Sequence, residues 1–185
     1  MVEVQWRYKE QFIESSGHTN VVIAAYTTAQ ARLKLYGYLE TLQERALYAD
    51  TDSVIFHTPR DIIHKPPLGN FLGDLTDEVP FGHIIDFVSA GPKNYAYKVK
   101  REDSKIETVC KVRGITMNFN STKTINFESM KRIVTENRSE TLNVTDKAIV
   151  RHKGRIVTTE LSKTYRFAYD KRSVKNNFQT LPFGY

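Results

Sequence analysis

Two aspartates, Asp50 and Asp52, stand two residues apart in the stretch Tyr48-Ala49-Asp50-Thr51-Asp52-Ser53. Short apolar runs lie on either side of them, at residues 46–48 and 54–56, and both runs are rich in residues that favour strands. The polar residues between the runs predict the turn of a tight β-hairpin. Because residues i and i+2 of an extended chain point the same way, we expect both carboxylates to project together from its tip.

Two clustered carboxylates predict a bound cation, since the charges repel one another and each loses hydration when it is partly buried. Hard oxygen ligands of this kind suit Mg²⁺ or Mn²⁺. One alternative is that Asp and Ser are simply good turn formers and that the pair is solvated. Another is a phosphatase with an Asp-x-Asp nucleophile, but that chemistry needs a helix after the acidic pair. Here residues 54–56 continue as a strand.

The residues before the hairpin predict a long helix that ends near Leu42. Thr19 or Asn20 can cap its start. Apolar side chains recur at helical spacing along one stripe, at Val22, Ala25, Tyr26, Ala29, Leu33 and Tyr36. We expect this stripe to belong to the core and the helix to pack beneath the hairpin and aim it.

The string Tyr-x-Asp-Thr-Asp-Ser between two apolar strands resembles the catalytic palm hairpin of family B DNA polymerases. Residues 68–78 and 87–97 are similar to the protein-primed branch of that family, which occurs in adenoviruses, linear organellar plasmids and self-synthesising DNA transposons. Within them, Lys93-Asn94-Tyr95 matches the Lys-x-Tyr motif of the family. The segment Lys111-Val112-Arg113-Gly114-Ile115 and residues 163–185 resemble the same branch.

This resemblance implies template-directed addition of deoxynucleotides to a 3′ hydroxyl by a two-metal mechanism, with Mg²⁺ or Mn²⁺ as cofactor. It implies that Asp50 and Asp52 are catalytic, Asp52 as the direct metal ligand and Asp50 as the supporting carboxylate. The implied partners are primer-template DNA, deoxynucleoside triphosphates and a terminal priming protein.

The resemblance also implies where the primer strand is held. Lys93 and Tyr95 would grip the primer near its growing end, because Lys supplies a phosphate-binding cation and Tyr adds a flat ring with a hydroxyl. Tyr48 and Thr51 would shape the hairpin and the primer terminus.

Two other family B motifs are missing from the sequence. One is a palm strand with an Asp followed by Ser-Leu-Tyr-Pro-like residues, and the other is a fingers helix with Lys and Asn-Ser-x-Tyr-Gly. We therefore expect a C-terminal palm and thumb fragment that carries half of the metal site and is inactive by itself. The alternative is a non-catalytic DNA-binding remnant of such a polymerase.

The predicted fold class is α+β, with the C-terminal part of a palm over residues 1–113 and a thumb-like region over 114–185. Strands are expected at 95–99, 108–112, 148–150 and 155–157, and a second helix at 127–135. A chain of 185 residues with 40% hydrophobic content is large enough to bury a core of its own.

Charge is divided unevenly along the chain. Residues 1–92 carry 7 Lys and Arg against 12 Asp and Glu, a net of −5, whereas residues 93–185 carry 20 against 9, a net of +11. The basic half begins at Lys93 and predicts a surface that follows a phosphate backbone. The alternative is that these residues only solvate the surface.

Two further sequence features indicate where in the cell we expect the protein to act. The single cysteine, Cys110, excludes an internal disulfide. No apolar run approaches the roughly 20 residues of a membrane span. We expect an intracellular protein that does not enter a membrane, at a nuclear, organellar or viral site of replication.

Overall fold

The computed structural model describes residues 17, 19–59, 65–170 and 172–182. These residues form three α-helices and four small antiparallel sheets, which confirms the α+β class. They fall into two compact units, Met1–Leu75 and Thr76–Tyr185. Across the described ranges, none of the helices has the length and apolar character needed to cross a membrane.

The first unit contains the predicted long helix and the predicted hairpin. Helix α1, Val21–Leu42, begins where the Asn20 side chain accepts a hydrogen bond from the Ile23 N–H at 3.0 Å, which confirms Asn20 as a cap. A 3-10 turn, Gln43–Arg45, leads from α1 into strand β1, Ala46–Asp50. Strand β1 pairs antiparallel with β2, Ser53–Phe56, as predicted.

The predicted burial of the apolar stripe on α1 is wrong. Val22, Tyr26, Leu33 and Tyr36 expose 54–68% of their surface, and the buried residue of the helix is Leu42. Apolar residues occur all around α1, so the period that predicted the stripe does not single out one face for burial.

The second unit begins with a three-stranded antiparallel sheet. Its order is β3-β4-β5, formed by Gly82–Gly91, Asn94–Arg101 and Ile106–Lys111. The predicted strand at 95–99 lies within β4, and the predicted strand at 108–112 overlaps β5, which ends one residue earlier at Lys111. Two short helices follow, α2 at Phe119–Thr124 and α3 at Phe127–Thr135, and α3 has the predicted bounds.

The rest of the second unit is built from two-stranded sheets. The longer one pairs β6, Thr141–His152, with β7, Arg155–Arg166, and includes the predicted strands at 148–150 and 155–157. The shorter one pairs β8, Arg172–Val174, with β9, Thr180–Pro182.

The core of the second unit lies between α3 and the β3-β4-β5 sheet. Helix α3 starts at a capping box on Asn126 and buries Phe127 and Met130. They join one hydrophobic cluster with Ala96 of β4 and Tyr165 of β7. Residues on both sides of the predicted 113/114 boundary contribute to this core, since Ala96 precedes it and Phe127, Met130 and Tyr165 follow it. The assignment of a palm and a thumb stays a prediction.

Candidate functional site

The two aspartates lie at the tip of the β1–β2 hairpin. Asp50 pairs with Ser53, so Thr51 and Asp52 form a two-residue turn between the strands. The Asp50 carbonyl accepts hydrogen bonds from the Asp52 N–H at 2.6 Å and from Ser53 Oγ at 3.1 Å. Asp50 is half-buried and Asp52 is exposed. The tip therefore presents one sheltered carboxylate and one that faces solvent.

Thr51 holds the turn in an unusual backbone conformation. Its φ is +56°, in the left-handed region that β-branched residues rarely adopt. Its Oγ1 donates a hydrogen bond to Asp50 Oδ1 at 3.1 Å. Because the chain is not extended at Thr51, the alternation that predicted a shared direction for the two carboxylates does not apply to them. Local strain of this kind concentrates at functional sites.

The donor set at this tip fits part of a site for a hard divalent cation. Two carboxylates on neighbouring positions can supply oxygen ligands to Mg²⁺, which keeps several waters when one or two protein carboxylates bind it. Within the described ranges, no cluster of three or more His, Cys, Asp or Glu side chains occurs.

The second predicted group, Lys93 and Tyr95, lies at the turn between β3 and β4. Gly91 pairs with Asn94, which leaves Pro92 and Lys93 as the two turn residues. Proline suits the first of these positions, and the second requires a positive φ that glycine usually supplies. Lys93 adopts φ +59° there and is exposed. We call residues 91–95 the lysine turn.

The segment around Ala168 contacts the lysine turn and helps to hold it in place. The Ala168 N–H donates to the Ala90 carbonyl at 2.9 Å. Gly91 has φ +129°, and a Cβ atom on it would lie 1.9 Å from the Ala168 carbonyl oxygen. Only glycine allows this approach, so the turn and the segment at residue 168 are built to fit each other.

A buried asparagine ties the lysine turn to a second basic segment. Asn94 is 6% exposed, and its Oδ1 accepts the Arg113 N–H at 2.9 Å. Lys111 pairs with Tyr95 across β4 and β5, and the Lys163 ammonium donates to the Gly114 carbonyl. These links bring four cationic side chains to one region, which we call the basic cluster: Lys93, Lys111, Arg113 and Lys163.

One acidic residue neighbours the basic cluster. Arg113 lies 3.6 Å from an oxygen of Asp170, and both side chains are more than half exposed. Solvent screening makes such an ion pair weak, so the guanidinium of Arg113 can exchange Asp170 for another anion.

Aromatic rings continue the surface from the lysine turn along β4. The rings of Tyr95 and Tyr97 stack with centroids 6.2 Å apart and planes 11° apart, and Phe87 lies 6.3 Å from Tyr95. Burial raises the pKa of the Tyr97 phenol, and Glu78 adds to the rise. The Tyr97 hydroxyl is therefore a neutral donor at physiological pH.

The structure places the predicted residues in two separate groups. Tyr48, Asp50, Thr51 and Asp52 share one hairpin of the first unit, and Lys93 and Tyr95 share one turn of the second.

Sequence reasoning did not predict that Arg113 and Lys163 lie near the lysine turn. Residues 111–115 resemble the polymerase branch in sequence, but the contact of Arg113 with Asn94 bridges 19 residues and leaves no local sequence signal. The contact of Lys163 bridges 49 residues.

Comparison with known proteins returned no matching protein-family model, no matching curated protein and no matching solved structure.

Proposed function

We propose that this chain supplies part of the active site of a family B DNA polymerase of the protein-primed type. The observation that carries the proposal is the pair Asp50 and Asp52 on a strained hairpin tip, one half-buried and one exposed. The sequence around the pair resembles the catalytic palm hairpin of that family. The basic cluster supports the proposal independently, because a primer strand is a polyanion.

Each group has a defined task under this proposal. Asp52 is the direct ligand of the metal, and Asp50 is the supporting carboxylate, oriented by the hydroxyl of Thr51. Lys93 binds a backbone phosphate of the primer, and Tyr95 places its ring and hydroxyl beside the same strand. When bound, Mg²⁺ or Mn²⁺ supplies charge neutralisation at the transferred phosphate.

Further elements are required for polymerisation. The carboxylate that completes the metal site and the lysine of the fingers have no counterpart in the sequence motifs. Primer-template DNA, deoxynucleoside triphosphates and a priming protein are the proposed partners. We expect the isolated chain to bind primed duplex DNA without extending it.

Metal binding gives the sharpest test of the carboxylate pair. Titration of Mn²⁺ into the purified chain, followed by electron paramagnetic resonance, should show a weak site. Asp50→Asn and Asp52→Asn should each weaken it at least tenfold, because an amide keeps the shape and removes the charge. Glu102→Gln, which removes an exposed carboxylate from the turn after β4, is the matched control. Equal Mn²⁺ affinity in Asp52→Asn and in the control would overturn the assignment.

A second candidate function is DNA binding without chemistry. It is favoured by one observation: across the described ranges, no third acidic or other metal-ligating side chain joins the Asp50–Asp52 pair. Adding a polypeptide that carries a family B palm strand and fingers helix separates the two functions. Primer extension in the mixture, lost in Asp52→Asn, supports the polymerase. Binding of primed duplex without extension supports the remnant.

A further inference from the structure

Strands β6 and β7 form a two-stranded arm that continues beyond the core of the second unit. At its base, Val144 and Tyr165 are buried in the hydrophobic cluster. At its far end, His152 pairs with Arg155 across a Lys153-Gly154 turn. Both turn residues have positive φ, 45° and 78°, as the tight hairpin turn that matches strand twist requires. Twelve paired residues make the arm about 40 Å long.

Strand alternation divides the arm into two faces. Val144 and Tyr165 point to the core, so residues in phase with them form the inner face and those out of phase form the outer face. The pair Val150 and Val157 lies on the inner face and is 38–39% exposed.

The outer face presents a pair of isoleucines. Ile149 pairs with Thr158 and Ile156 pairs with Arg151, so the two isoleucines are diagonal neighbours on this face. They are 77% and 79% exposed.

The far half of the arm is strongly basic. Residues 147–159 contain four Lys or Arg side chains, one histidine and no acidic residue. On the outer face, Lys147 and Arg151 flank Ile149. Lys147 pairs with Glu160 across the strands, so the arm combines an exposed apolar pair with Arg151 beside it and with basic residues at its tip.

We propose that the outer face of this arm enters a groove of double-stranded nucleic acid and partly unstacks the base pairs that it meets. Arg151 on the outer face, Lys153 in the turn and Arg155 on the inner face beside the turn bind phosphates at the edges of the groove. Ile149 and Ile156 press against the base pairs. This proposal adds a DNA-distorting surface to the function proposed above. It involves neither the carboxylate hairpin nor the lysine turn.

Shape and charge both favour a nucleic-acid duplex as the occupant. The major groove accommodates a two-stranded ribbon, and proteins that bend a duplex through the minor groove insert apolar side chains between base steps. An anionic membrane would satisfy the charges as well. Residues 147–159 contain no aromatic side chain, however, and membrane-interface segments are rich in Trp and Phe.

The charge part of the proposal is tested by salt dependence of binding to an unprimed 20-base-pair duplex in EDTA. The triple variant Arg151→Ala, Lys153→Ala, Arg155→Ala should reduce the slope of log affinity against log salt by about 2.7, because each lost phosphate contact removes about 0.9. The control replaces three exposed lysines outside the arm, Lys100, Lys105 and Lys123, with alanine and changes net charge equally. Equal effects of both triple variants would show that net charge alone drives binding and would overturn the proposal.

The apolar part is tested with 2-aminopurine in the duplex, whose fluorescence rises when the base unstacks. The wild-type chain should raise the fluorescence, and the double variant Ile149→Thr, Ile156→Thr should abolish the rise. The double variant Ile149→Val, Ile156→Val should retain it. Thr and Val both keep β-branching and strand preference, so they separate apolar insertion from stabilisation of the arm.

Two outcomes of these experiments would reject the duplex as the occupant. One is an absence of any fluorescence rise with the wild-type chain, and the other is a rise that the Thr variant preserves. Binding to vesicles with 30% phosphatidylserine that exceeds duplex binding, and that the Thr variant loses, would assign the arm to a membrane surface. Because EDTA removes metal ions and no nucleotide is added, these experiments test the arm independently of the polymerase proposal.

Discussion

Replacing Tyr165 with phenylalanine should stabilise the protein. Tyr165 lies at the base of β7, is 2% exposed and belongs to the hydrophobic cluster of the second unit. Its hydroxyl has no hydrogen-bond partner among the described residues. Folding therefore removes this group from water without replacing the hydrogen bonds that it loses.

The size of the effect follows from the cost of that burial. A buried hydroxyl without a hydrogen-bond partner lowers the free energy of unfolding by about 1–3 kcal/mol. Removing the oxygen relieves this penalty but also loses its dispersion contacts, which offsets part of the gain. We expect Tyr165→Phe to raise the free energy of unfolding at pH 7 by about 1 kcal/mol. In a chain of this length that corresponds to a melting temperature higher by about 2–4 °C.

The advantage of phenylalanine should grow at high pH. Burial raises the pKa of the Tyr165 phenol above its ordinary value of about 10, and the neighbouring Cys110 adds to the rise. A raised pKa in the folded state means that the stability present below pH 10 is lost as the unfolded chain ionises above it. The difference in free energy of unfolding between Tyr165→Phe and wild type should widen by about 1 kcal/mol between pH 10 and pH 11.

Urea unfolding at pH 7, 10 and 11, followed by circular dichroism, measures both effects. Tyr36→Phe is the control, because Tyr36 is 54% exposed on α1 and its hydroxyl reaches water. The reasoning is refuted if Tyr165→Phe is less stable than wild type at pH 7. It is also refuted if the difference between them stays constant up to pH 11, since the Tyr165 phenol would then ionise as readily in the folded protein as in the unfolded chain.

Four further predictions concern two glycines and two residues of the candidate site. Gly91→Ala should cost at least about 2 kcal/mol in urea unfolding, because φ is +129° and the new Cβ meets the Ala168 carbonyl. Gly37→Ala, inside α1 with nothing within 4 Å of a Cβ, should instead stabilise by about 0.5–1 kcal/mol. Lys93→Ala should weaken binding of primed duplex at low salt three- to tenfold without changing unfolding, so unchanged affinity would remove Lys93 from the primer grip. Asp52→Asn should leave the fold intact and raise the melting temperature slightly in metal-free buffer, and a loss of stability would make the aspartate a structural turn residue.

Features specified by neighbouring residues could be predicted from the sequence. The cap at Asn20, the hairpin around residues 48–53 and the helix Phe127–Thr135 all appear in the structure at or near their predicted positions. Each depends on interactions within a few residues: a side chain that caps a helix start, polar turn formers between apolar runs, or apolar residues at helical spacing.

The direction of the carboxylates and the burial of α1 could not be predicted in this way. An aspartate pair at i and i+2 has a common direction only in extended chain, and the positive φ of Thr51 was not visible in residue types. The spacing of Val22 and Leu33 predicts a helix face, but burial depends on what packs against that face.

Residue types and their spacing specify the chemistry that is available: two carboxylates on a turn, a Lys-x-Tyr segment and a basic C-terminal half. Tertiary structure alone decided which cations gather at the lysine turn, because Asn94 meets Arg113 and Gly91 meets Ala168 across long stretches of chain. It also decided that β6 and β7 continue past the core as an exposed basic arm. Contacts between distant residues depend on the packing of the whole core, and for that reason residue types and spacing do not encode them one by one.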